Sequence, residues 1–137
     1  MEIEPYLHFG GTCEEVLNFY KSVFGGGEIM LNRFEGSPLM NDLPPDYASK
    51  VMHANFEGAN GVKFMASDGR PNTTHDHGSR VSLSISTNDV AEGERVFRAL
   101  AEGGNVSMDY QKTFWGATFG MLTDKYGIDW MVNAGQA

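Results

Sequence analysis

One cysteine, few basic residues and no apolar run long enough to cross a bilayer set the outer limits on this chain. Cys13 has no partner within the chain, so no disulfide framework holds the fold. A bilayer-spanning helix needs about 18 or more consecutive apolar residues, and no such run occurs. Nor is there an apolar segment of the secretory kind near the start, so the cytoplasm is the expected location. Ten Lys and Arg stand against eighteen Asp and Glu, a net charge of −8. That balance repels phosphate backbones and anionic lipid and leaves no basic stripe, so neither nucleic acid nor a membrane is an expected partner. A nucleotide-type methyl donor is usually cradled by a glycine-rich turn leading from a strand into a helix, with an acidic residue at the next strand end. Gly25-Gly26-Gly27 comes after a helical pattern instead. At 137 residues the chain suits one domain, able to bury roughly two thirds of the surface its unfolded form exposes. Seventeen Gly and eight Met point to many tight turns and to adaptable apolar surface.

What the chain does contain is a copy of itself. Tyr6 to Phe9, Thr12-Cys13-Glu14-Glu15, an apolar-striped run through Phe24, and Gly26-Gly27-Glu28 recur as Val81 to Ile85, Asp89-Val90-Ala91-Glu92, a similar run through Ala101, and Gly103-Gly104-Asn105. Thr12 and Asp89 correspond at an offset of 77, and so do Glu15 and Glu92. Each pair reads as a capping box, in which the cap oxygen accepts from the backbone N–H three residues on and the Glu reaches back. Duplicated units of this size predict half-structures that cannot bury their apolar faces alone and pack together around a cleft.

Residues 4–9 alternate as a strand. Cys13, Val16, Leu17, Tyr20, Val23 and Phe24 then share one face at 3 and 4 spacing, which predicts a helix from Thr12 to about Phe24. A strand is expected at about 27–35, followed by a loop over 36–49 broken by Pro38, Pro44 and Pro45. Val51 to Glu57 and Val62 to Ser67 form a hairpin about Gly58-Ala59-Asn60-Gly61. Thr118 to Thr123 and Ile128 to Asn133 repeat it at an offset of 66, matching Phe64 with Trp130 and Met65 with Met131. The drop from 77 to 66 places about 11 extra residues in the proline-bearing loop of the first copy. Module one is therefore about 1–68, the aperiodic linker about 69–79, and module two about 80–137.

Two copies of β-α-β-β-β resemble the glyoxalase, bleomycin-resistance and ring-cleaving dioxygenase superfamily, also called vicinal oxygen chelate proteins. Pro5-Tyr6-Leu7, Phe19-Tyr20, Val51-Met52-His53-Ala54, Phe64-Met65-Ala66-Ser67-Asp68, Phe114-Trp115-Gly116 and Phe119-Gly120-Met121-Leu122-Thr123-Asp124 are similar to the PhnB-like branch. Its proteins are often labelled 3-demethylubiquinone-9 3-methyltransferase-like. The resemblance implies an α+β fold, two modules whose curved mixed sheets surround a concave cleft, and a homodimer. In superfamily enzymes, one side chain from the first and last strand of each module holds a divalent metal. The corresponding positions here are Pro5, Phe64 or Met65, Arg80 or Val81, and Met131. None suits a hard or borderline ion, so no metal or other cofactor is expected. The expected function is capture of an apolar or aromatic small molecule. The alternatives are an enzyme of lyase, dioxygenase or transferase type that uses His53 or a non-standard metal site, and a dimeric module with no ligand.

Among single residues, His53 is the candidate catalytic base. It lies mid-strand on the face opposite Met52, Ala54 and Phe56, with a sheet-bonded structural role as the competing reading. Trp115, Phe114, Phe64, Met65, Phe119 and Trp130 are candidate pocket walls that core packing would equally explain. Ser67, Asp68 and Asn133 close strands, where they orient a ligand or cap turns. His8 is expected to face away from the metal-bearing side, His75 and His77 to be solvated, Asp124 to serve its turn, and Cys13 to be buried and inert.

Overall fold

The structure is a computed structural model and describes residues 4–69, 81–114 and 116–135. It divides into two compact units, Met1–Asp76 and His77–Ala137. The first carries β1 (Tyr6–Phe9), α1 (Cys13–Val23), β2 (Gly27–Arg33), β3 (Val51–Gly58) and β4 (Lys63–Asp68). The second carries β5 (Leu83–Thr87), α2 (Val90–Ala101), β6 (Asn105–Lys112), β7 (Thr118–Thr123) and β8 (Asp129–Ala134). Strand order is β1-β4-β3-β2 in one sheet and β5-β8-β7-β6 in the other. In both, the first strand pairs in parallel with the last, and the remaining pairs are antiparallel. The α+β class and the pair of mixed sheets are those the resemblance implies, and the β-α-β-β-β order of elements in each unit is the one the repeat predicts.

The internal copy extends to single hydrogen bonds. Gly69 N donates to Phe9 O as Gly135 N does to Thr87 O, and Gly58 N donates to Val62 O as Asp124 N does to Ile128 O. The extra residues fall where the change of offset puts them. Residues 34–50 join β2 to β3, against 113–117 between β6 and β7. The long connection is more regular than its composition suggests, holding two short 3-10 turns, Pro38–Asp42 and Pro45–Ser49. Each has proline in its first turn, where a missing N–H costs nothing, and Ser37 Oγ accepts from Leu39 N at 3.0 Å to cap the first of them.

Alternation sorts each sheet into a face beneath its helix and a face without one. In the first unit Tyr20 meets Phe64 edge-on at 5.7 Å, Phe24 meets Phe56 at 6.5 Å, and Phe56 stacks on Phe64 at 4.8 Å. In the second, Phe97 and Leu100 are fully buried, and Phe97 stacks on Tyr110 at 5.5 Å. Aromatic pairs of this kind contribute about 1 kcal/mol each beyond the area they bury.

The two helix starts differ, and here the sequence expectation needs correction. Asp89 Oδ1 accepts from Glu92 N at 3.1 Å, as a capping box requires, but Glu92 turns to Arg95 with contacts of 2.6 to 3.1 Å rather than back to the cap. Thr12 makes no side-chain cap at all. Its place is taken from the far end of the unit by Asp68, whose Oδ1 accepts from both Gly11 N and Cys13 N at 2.9 Å while Oδ2 accepts from Val51 N at 2.9 Å. A buried carboxylate with three fixed donors is a stronger acceptor than an exposed hydroxyl, which leaves Thr12 nothing to do. Cys13 lies beside it with no exposed surface. Burial first, then the negative charges of Asp68 and Glu14, push its thiol up to about 12, so it stays protonated and inert at neutral pH.

Candidate functional site

The helix-free faces are the surfaces on which the two units offer polar and aromatic side chains together. In β1, Leu7 and Phe9 are buried beneath α1, so Tyr6 and His8 stand on the other side. The parallel register sets Tyr6 against Met65 and His8 against Ser67. In β3, Ala54 and Phe56 go under the helix, leaving His53 and Asn55 on the same face as Met65. The rings converge. Tyr6 stacks on His8 with centroids 4.9 Å apart and lies 5.8 Å from His53. Tyr6 Oη is 3.1 Å from His53 Nδ1, and Asn55 Nδ2 is 3.4 Å from His53 Nε2. Each ring nitrogen of His53 thus has one polar neighbour, and which of these contacts His53 donates in is set by the imidazole tautomer.

The second unit presents the equivalent face with different chemistry. Leu83, Ile85 and Thr87 oppose Trp130, Val132 and Ala134 in register, and a Cβ built at Gly93 of α2 would meet both Ala134 and Thr87. That set is the helix side. Ser84, Ser86, Met131 and Asn133 therefore lie on the open side, joined by Phe119, which pairs with Asn133 and Gln111. Asn133 occupies the position that Ser67 holds in the first unit, and its Oδ1 is buried with no hydrogen-bond partner.

These placements sort the sequence candidates. His53, Met65 and Ser67 share the open face of the first unit, and Phe119 and Asn133 that of the second. Phe64 and Trp130 do not join them. Both are core residues, 3% and 4% exposed, and Trp130 Nε1 donates to Asp124 Oδ2 at 2.8 Å. Asp124 also accepts from Tyr126 N and Ile128 N, which is the expected turn chemistry. Phe114 stands 97% exposed between β6 and β7. Trp115, His75, His77 and Arg80 lie outside the described residues.

Two expectations about strand faces are corrected. His8 points to the same side as His53, because Tyr6 rather than Pro5 is the first open-face position; Pro5 precedes the strand and its carbonyl accepts from Met65 N. Met52 does not follow the alternation either. Asn32 pairs with His53 but Arg33 with Val51, so Met52 is the extra residue of a β-bulge. Sequence reasoning passed over Tyr6 and Asn55. The signal was present, since Leu7 and Phe9 supply the apolar half of an alternating strand and leave Tyr6 and His8 as the other half.

The side chains present do not fit the superfamily's divalent ion. The open-face pairs that join the first and last strand of each unit at the superfamily's level are Tyr6 with Met65 and Ser84 with Met131, a phenol, two thioethers and a hydroxyl where such ions favour imidazole, carboxylate or thiolate. Among the described residues no three His, Cys, Asp or Glu side chains are grouped so as to hold a metal. No step is derived through one.

The profile of the family described as 3-demethylubiquinone-9 3-methyltransferase matches residues 1–133. Protein YjdN of Escherichia coli K12 is 34% identical over 143 residues, covering 97% of this chain and 95% of that protein. The crystal structure of PA1353 from Pseudomonas aeruginosa is 40% identical with a TM-score of 0.84, covering 100% of this chain and 99% of that one. The PhnB protein of Bacillus cereus is 31% identical with a TM-score of 0.82, covering 98% and 99%. A glyoxalase/bleomycin resistance protein/dioxygenase family enzyme from Burkholderia phytofirmans shares 12% identity at a TM-score of 0.60 over 97% of each chain, a likeness of fold alone. With its duplicated β-α-β-β-β units and a profile match over nearly its whole length, the chain belongs to the PhnB-like, 3-demethylubiquinone-9 3-methyltransferase-like family, built on the glyoxalase/bleomycin-resistance/dioxygenase fold.

Proposed function

We propose that the protein binds a small, mainly apolar or aromatic molecule on the helix-free face of its sheets, without the superfamily's metal. The observation that carries this reading is the orphaned Asn133 Oδ1 beside Phe119 and Met131. A buried acceptor without a donor costs about 1–3 kcal/mol, and a ligand N–H or O–H is the group that would recover it. Aromatic and thioether surface with a few polar groups beside it, here Ser84, Ser86 and Asn133, is the usual composition of a small-molecule site. The methyltransferase label finds no such support in the chain, since the N–H of Gly11, at the turn from β1 into α1, is taken by Asp68, and the cluster Gly25-Gly26-Gly27 follows α1.

Asn133→Leu tests the reading because it separates binding from stability. Removing an unpaired acceptor in favour of an apolar group of similar size is expected to raise ligand-free stability by about 1 kcal/mol while abolishing the thermal shift that a bound metabolite gives by mass action. If Asn133→Leu instead lowers the melting temperature by several degrees, the oxygen already has a partner and the proposal fails. The Tyr6–His53–Asn55 chain favours a second reading, an enzyme in which His53 moves a proton and Tyr6 holds the substrate. In that case His53→Gln retains the thermal shift and loses turnover of the bound compound. Either function is proposed for a homodimer, and light scattering that shows a monomer at micromolar concentration would remove that element.

A further inference from the structure

The insertion peculiar to the first unit borders a partly open hollow of about 220 Å³. Phe34, Leu39, Leu43 and Met52 supply its apolar walls, and Asp42, Asp68 and Gly69 complete the lining. Its frame is firmly tied. Phe34 N donates to Lys50 O and Glu35 N to Ala48 O at 3.0 Å, Phe34 packs on Tyr47 at 5.2 Å, and the Tyr47 hydroxyl donates to Gly69 O. The bulge in β3 takes Met52 off the helix side that it would share with Ala54 and Phe56 by alternation, and Met52 lines this space. Protein interiors hold few voids larger than a water molecule, and an apolar cavity of about 150 Å³ stays dry and takes up benzene. A rigid apolar hollow of the present size therefore suits one ring with a short substituent.

Charge narrows the choice. Residues 34–49 include Glu35, Asp42 and Asp46 and no Lys or Arg. The basic neighbours at either end are engaged, Arg33 with Glu14 at 2.9 Å and Lys50 with Gly11 O at 3.0 Å. Asp68 is a carboxylate held by three N–H donors. Anions are repelled from such a surround and a cation is attracted. We infer that the hollow beneath the 34–50 connection is a binding site for a small single-ring aromatic amine, separate from the open sheet face.

Methionine methyl resonances read the two sites apart, since Met52 lines the hollow and Met65 and Met131 lie on the open faces. Titration of the full chain with benzylamine is expected to shift the Met52 methyl saturably, by ring current, while the Met65 and Met131 methyls stay in place. Benzoate should give no shift up to tenfold higher concentration. Leu43→Trp, which fills the hollow, should abolish the Met52 response; if it does not fold, Leu39→Trp at the exposed rim serves the same purpose. A Met52 methyl unmoved by benzylamine, a benzoate response equal to that of the amine, or a benzylamine response that survives the tryptophan block would overturn the inference. None of these outcomes bears on Asn133, whose test reads a different unit.

Discussion

Asp68→Ala is expected to lower the stability of the protein by about 4 kcal/mol, the cost typical of removing one partner from a buried charged network. At about 3–4 °C per kcal/mol for a chain of this size, the melting temperature should fall by about 15 °C. The side chain is 3% exposed and its two oxygens accept from Gly11 N, Cys13 N and Val51 N. One carboxylate thus ties the turn before α1, the first N–H of that helix and the start of β3 to the end of β4. Alanine leaves all three donors without the acceptor that the 3% exposed carboxylate supplies. Asp68→Asn should cost about half as much, because an amide oxygen can replace Oδ1 while the amide nitrogen then faces Val51 N, donor against donor. Urea denaturation of the two variants reads both numbers. A loss below 1 kcal/mol for Asp68→Ala would mean that water reaches these donors and that the start of α1 does not depend on the last strand of its unit.

That dependence explains why the first helix cap was misread from sequence while the second was half right. Asp89 caps α2 from the adjoining residue, so local spacing finds it. Asp68 caps α1 from 55 residues away, and nothing in the local pattern of Thr12-Cys13-Glu14-Glu15 reveals it. The repeat could have warned of this. Under the offset of 66, Asp68 corresponds to Ala134, so the two modules cannot start their helices by the same chemistry. The sequence of elements along the chain, by contrast, was legible because alternation, helix periodicity and the change of offset all report backbone geometry. The open faces were only partly legible. A period of two says which residues share a side, and it separates His53 from Phe56 correctly, but it cannot say which side is covered by a helix. Phe64 and Trp130 were therefore read as candidate walls although they lie in the core, and a single bulge at Met52 took that residue out of register with its neighbours.

The same comparison shows where duplication ended and divergence began. Backbone bonds and core positions repeat, as Gly69 and Gly135 or Phe64 and Trp130 do. The open-face residues do not. Tyr6, His8 and Ser67 in one unit stand against Ser84, Ser86 and Asn133 in the other. Packing constrains a residue on the helix side to an apolar shape that fits, whereas a residue on the open side is free of that constraint. The retained Met65 and Met131 are the exception, and an unbranched thioether is the side chain that adapts to two different neighbourhoods.

Gly27 and Gly104, 77 positions apart, carry the other large prediction. Both sit just after the helix of their unit, where the chain enters the next strand against a hairpin. A Cβ at Gly104 would lie 2.3 Å from Thr123 O and 2.9 Å from Asp124 Cα; at Gly27 it would lie 2.6 Å from Glu57 O and 2.8 Å from Gly58 Cα. These are backbone atoms, so no rotamer change relieves the overlap and the edge strand must move away from its partner. Forcing atoms into a packed site costs about 1–3 kcal/mol, and Gly27 adds the strain of a side chain at φ +133, about 1 kcal/mol more. Gly104→Ala is accordingly expected to lose about 3 kcal/mol and Gly27→Ala about 4 kcal/mol. Gly25 is the control. It also has a positive φ, +80, but a Cβ there meets nothing within 4 Å, so Gly25→Ala should cost only the backbone strain, about 1 kcal/mol. Urea melts of the three variants decide between close approach and dihedral freedom as the reason these glycines are needed. Equal losses at Gly25 and Gly27 would assign the requirement to φ alone, and a harmless Gly104→Ala would mean that the β6–β7 edge yields without cost.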